Sequence, residues 1–153
     1  MNTFQTTDFS FSSRLSWCLL LLRLGVGIVF VMWTMNKLIN PENAAAVFTK
    51  YYHLQSLSMY FVYLVGTLQT IVVLAFVLGA LRPYSYSAIL ILHGFSTLSS
   101  YKQYLDPWTA PHLLFFAAFP MLAACITLLL LRDCDQFSVD GFRKRRALPA
   151  VNQ

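Results

Sequence analysis

"RLGVGIVFVMWTMNKL", residues 23–38, is almost pure hydrocarbon between an arginine at one end and an asparagine–lysine pair at the other. Extended to its apolar limits, Trp17 to Ile39, the stretch exceeds the about 20 helical residues that a bilayer core requires. Its apolar run is also well above the roughly 7–15 residues of a cleavable signal core, so it reads as a retained span. Working outward, three more stretches have spanning length. They are Met59 to Leu81, the less apolar Tyr84 to Tyr104, and His112 to Leu131.

Composition supports lipid as the solvent. The 153 residues are 58% hydrophobic and only 11% charged, whereas soluble domains run near a quarter charged. Tyrosine and tryptophan gather at the ends of the spans, as interfacial belts do. The net charge of +5 does not point to nucleic acid. Four of the cations, Arg143, Lys144, Arg145 and Arg146, form one run beside the last span, where such a run orients the chain or meets anionic headgroups.

These observations predict an all-α integral membrane four-helix bundle. Residues 1–16 form an N-terminal segment, 17–132 the four-span domain, and 133–153 a basic, partly disordered tail. Arg14, Arg82, Arg132 and the tail cations share one side, against Lys50 and Lys102 on the other. That bias puts both termini in the cytoplasm of a bacterial inner membrane. The outer loop after span one, from Pro41, carries Ala44, Val47, Phe48, Tyr51 and Leu54 on one helical face. It predicts a short amphipathic periplasmic helix lying on the membrane surface.

Polar groups inside the spans are the sharpest functional signal. Gln69 and His93 fall near the middle of neighbouring antiparallel spans and are expected to reach the same depth. Arg23, Gly27, Phe30, Thr34 and Lys37 recur on one face of span one, and Gly25 and Gly27 permit close helix approach. Pro120 is expected to kink span four beside His93 and Gln69. Two readings stand open for each charged or titratable group. Arg23 either snorkels to headgroups or holds a buried partner or anionic ligand. His93 either bonds Gln69 or handles a ligand or proton. Lys37, with Asn36, either anchors the boundary or binds. The cysteines Cys18, Cys125 and Cys134 form no C-x-x-C pair, and no metal-ligand spacing or catalytic triad appears.

The stretch "LLRLGVGIVFVMWTMNKLINPENAAAVFTKYY", with Arg23, Gly25, Gly27, Trp33 and Lys37 in order, resembles the DoxX family of bacterial membrane proteins. The last span, "HLLFFAAFPMLAACITLLLLRD", is similar to that family's final helix. The resemblance covers residues 15 to 135. It implies an accessory subunit of a respiratory or redox membrane complex that contacts quinone, in company with lipids, a larger complex or further copies of the chain. The candidate pocket is then Arg23, Gln69, His93, Trp33 and Lys37. The competing expectation is a small transporter, which four helices could form only as an oligomer.

Overall fold

The computed structural model describes residues 3–52 and 58–147, and these are helical with no strand. Seven α-helices follow in order: α1 (Thr3–Ile39), α2 (Pro41–Tyr52), α3 (Met59–Leu78), α4 (Arg82–Ser99), α5 (Tyr101–Leu105), α6 (Ala118–Leu130) and α7 (Val139–Ala147). A 3₁₀ helix, His112–Ala117, leads into α6, and a 3₁₀ turn, Arg132–Cys134, follows it.

The four long helices close into a ring. α1 packs on α3 and α6, and α4 packs on the same two. Leu19, Val26 and Phe30 of α1 meet Val73 and Phe76 of α3, Tyr86 and Ile89 of α4, and Cys125 and Leu128 of α6. The outward faces are apolar too: Leu21, Ile28, Leu68, Ile71, Ile91, Leu98, Leu114 and Leu130 are all exposed. An apolar coat of that extent suits lipid, because soluble monomers keep such patches small. The chain is a membrane protein.

Three helices are long and apolar enough to cross a bilayer: Phe11–Ile39, Met59–Leu78 and His112–Leu130. The span expected at Tyr84 to Tyr104 is not among them. It is divided between α4 and α5, and α4 is polar on its inner face. Arg82, Ser85, Tyr86, His93 and Thr97 are buried there, while Tyr84, Ile91, Phe95 and Leu98 point outward. Polar residues turned inward lower the mean hydropathy of a helix whose outer surface is hydrocarbon.

Other boundaries also move. α1 runs unbroken from Thr3, so no loop separates the N-terminal segment from the first span. α3 stops at Leu78 because Gly79 adopts φ +65° and donates its N–H to Ala75 O and Phe76 O, a left-handed C-cap that glycine accepts without penalty. A Cβ at Gly79 would collide with Ser138 and come within 2.6 Å of the Arg23 guanidinium. Pro120 is the third residue of α6, and the irregularity expected around it takes the form of the 3₁₀-to-α junction just before it.

α2 forms where amphipathic spacing placed it, but its apolar face is covered by protein. Ala44 is buried, the Tyr52 ring stacks on Phe95 with centroids 5.3 Å apart, and Tyr51 meets Phe115 at 6.0 Å. Leu54 and His53 lie outside the described residues. The tail also departs from expectation. Residues 132–147 fold back under the bundle, with Asp135 and Ser138 fully buried.

Candidate functional site

Arg23 does not snorkel. It is 2% exposed, and its guanidinium forms an ion pair with Asp135, itself 0% exposed. The same guanidinium donates to Tyr86 Oη at 3.2 Å and to the Phe137 carbonyl, and Tyr86 Oη in turn donates to Asp135. A second arginine braces the loop around this pair. Arg82 donates to Asp135 O at 3.0 Å and to Arg132 O, and its backbone N–H donates to the Asp140 carboxylate at 2.9 Å. Asp140 N–H reaches Gly79 O at 3.2 Å. Two charges taken from water need close pairing and further hydrogen bonds to offset desolvation, and this cluster supplies both, with Arg23 Nε and Asp135 Oδ1 left without a partner among the described residues. It ties the 132–147 segment to α1, α3 and α4.

Asp135, Tyr86 and Arg82 were not foreseen as partners of Arg23. A usable signal existed. A buried arginine requires an acid, and four of the six acids (Asp8, Asp133, Asp135 and Asp140) lie on the side where span one begins. Three of these four lie in the 133–153 tail, whose polar composition suggests partial disorder.

His93 lies in a different place. It is 2% exposed and lines an open-sided groove of about 980 Å³ between α1, α4–α5 and the 3₁₀–α6 junction. Leu22, Val26 and Trp33 of α1 form one wall, and Phe115, Ala118 and Met121 the other. The His93 ring sits 6.1 Å from Trp33 and 6.2 Å edge-on from Phe30. Nε2 bonds Ala118 O at 3.0 Å, whereas Nδ1 is buried without a partner. A buried polar atom left unmatched costs about 1–3 kcal/mol, so this nitrogen is an incentive for a ligand to enter. Tyr104 Oη, also without a partner, lines the same groove.

Gln69 and Lys37 line a second groove, of about 650 Å³, beneath α2. Phe48, Tyr51, Tyr52 and Phe95 supply its aromatic walls, and Asn36 joins the polar set. Lys37 Nζ donates to Trp33 O at 3.3 Å. Gln69 and His93 therefore face separate spaces, and His93 bonds a backbone carbonyl where a side-chain partner was expected. Trp33 lines both grooves. The five candidate residues fall into three settings: Arg23 in the ion pair, His93 with Trp33 in the first groove, Gln69 and Lys37 in the second.

The glycines divide as well. A Cβ at Gly27 would meet Val77 Cγ2 at 2.7 Å, so Gly27 brings α1 close to α3. A Cβ at Gly25 would meet nothing within 4 Å. Gly25 opens the first groove and packs no helix. Gly66 does the packing that was assigned to Gly25. A Cβ there would come within 3.0 Å of Leu38 and 3.2 Å of Lys37.

The sequence model of the family described as methylamine utilisation protein MauE matches residues 15–107, well over half the chain. The matched segment includes Arg23, both groove-lining faces of α1 and α4, and α2. The DoxX family that span one resembles is not itself shown by this match. No curated protein and no solved structure matches.

Proposed function

The chain belongs to the MauE family, and on that footing we propose that it is a non-catalytic accessory subunit of a redox membrane complex serving methylamine utilisation. In this reading α4 completes a set of four spans, both termini face the cytoplasm, and the membrane is the bacterial inner membrane. The first groove holds a lipophilic, ring-bearing ligand of the quinone type. The observation that carries the reading is that His93, whose buried Nδ1 has no partner, lines an apolar space large enough for a ring and part of its tail. Ligand sites of this kind combine apolar walls with a few fixed polar groups. His93 and Trp33 are the contacts retained from the candidate set. Arg23 serves the fold, and Lys37 and Gln69 belong to the groove beneath α2.

Native mass spectrometry of the gently purified protein tests the proposal. The expected result is one lipophilic ring-bearing molecule per chain, together with at least one further subunit. A lone chain with no small molecule, whose stability does not change when quinone or quinol is added, would refute it. The transporter alternative predicts instead substrate flux in liposomes, and the accessory reading predicts none.

A further inference from the structure

We infer that the first groove takes its ligand through a hydroxyl, so that a lipophilic phenol or quinol binds in preference to the matching ether or quinone. This rests on the proposed ring-bearing ligand and specifies its chemical form.

The direction of one hydrogen bond decides the matter. Ala118 O can only accept, so His93 Nε2 must carry the hydrogen in their 3.0 Å contact. In the neutral ring Nδ1 is then a bare lone pair, and it is buried with no partner. The ring cannot exchange its two nitrogens without losing the bond at the α6 junction, and Phe30 and Trp33 flank it.

Two of the groove's hydroxyls lean the same way. Thr97 Oγ1 donates its hydrogen to His93 O at 2.8 Å, and Ser100 Oγ donates to Ser96 O at 3.1 Å. Both line the groove, and what they have left to offer is acceptor capacity. Tyr104 Oη is without a partner and can turn its hydrogen either way. No lysine, arginine, aspartate or glutamate lines the groove among the described residues, so charge gives an ionic ligand no foothold. A carbonyl or ether oxygen set against Nδ1 would place lone pair against lone pair and leave the buried acceptor unmatched. A ligand O–H satisfies it.

The test uses the full chain in lipid nanodiscs and two probe pairs: 4-octylphenol with its methyl ether, and decylhydroquinone with decylquinone. Within each pair the alkyl tail is constant and the hydroxyl donor is lost, by methylation in the first and by two-electron oxidation in the second. The hydroxyl forms are expected to bind about tenfold more tightly, and His93→Phe should erase that preference. Should His93→Phe fail to fold, the wild-type comparison still decides, because both pairs are read on the unaltered protein. Equal affinities, or tighter binding of the ether and the quinone, would overturn the inference while leaving a ligand groove in place. No binding of any of the four probes would overturn the groove reading along with it.

Discussion

The same two helices build two buried polar sites of opposite character. Just past the middle of α1, Arg23 joins Tyr86 of α4 and Asp135 of the tail, and the two charges are paired within the chain. Ten residues along α1, at Trp33, and seven along α4, at His93, an aromatic and a histidine face a groove with one nitrogen left open. Burial is equal at Arg23 and His93, so burial alone does not separate structural from binding residues. What differs is charge and setting: the Arg23 and Asp135 charges are paired within the chain, although Arg23 Nε and Asp135 Oδ1 have no partner, whereas His93 lines a groove. The first site ties the tail to the bundle, and in the proposed reading a ligand completes the second.

The largest effect that would break this contrast is at the ion pair. Asp135→Ala leaves Arg23 buried and uncompensated and should cost about 3–5 kcal/mol of stability, read from denaturant or thermal unfolding in detergent. Replacing both members, Arg23→Met with Asp135→Leu, should recover most of the loss. A single-variant cost below about 1 kcal/mol, the range of exposed pairs, would mean that Arg23 escapes to water instead. Gly79→Ala comes next. Forcing a side chain onto φ +65° costs about 1–2 kcal/mol before the collision with Ser138 is counted. Its unfolding midpoint should fall, with the tail the first region to gain hydrogen exchange.

The two glycines of span one sharpen the comparison further. Gly27→Ala crowds Val77 and should destabilise by about 1–3 kcal/mol, without altering ligand affinity. Gly25→Val should do the reverse, keeping stability within about 0.5 kcal/mol of wild type, as surface substitutions do, while filling the groove and weakening ligand binding. His93→Phe lies between the two in stability. It forfeits one hydrogen bond to Ala118 O and so about 1 kcal/mol, and it should erase the preference for the hydroxyl form of a ligand.

Much of the fold was legible because lipid imposes simple length and polarity rules. α1, α3, α6 and the amphipathic α2 all follow from runs of apolar residues and helical spacing. The less apolar third stretch forms α4 and α5 and is not among the helices apolar enough to cross a membrane, because its polar residues line the inside of the bundle and hydropathy does not report direction. The site was legible in part. His93 was singled out by depth and type and Trp33 as an aromatic wall, and both line the first groove, but depth alone also paired His93 with Gln69, which lines the second. Arg23 was identified as exceptional, while its partner lay 112 residues away in a segment whose composition suggested disorder. Local pattern does not encode a contact of that range. Gly25 and Gly27 look equivalent in sequence, and only the neighbouring helices show that one packs and one opens a space.

Nitrogen NMR on protein labelled at its histidines, with His93 assigned by its loss in His93→Phe, addresses the central claim most directly. The account predicts a protonated Nε2 and an unprotonated Nδ1 in the free protein, and a shift confined to Nδ1 when a lipophilic phenol is added. An Nδ1 that already carries the hydrogen, or one whose signal does not move on saturation with the phenol, would contradict it.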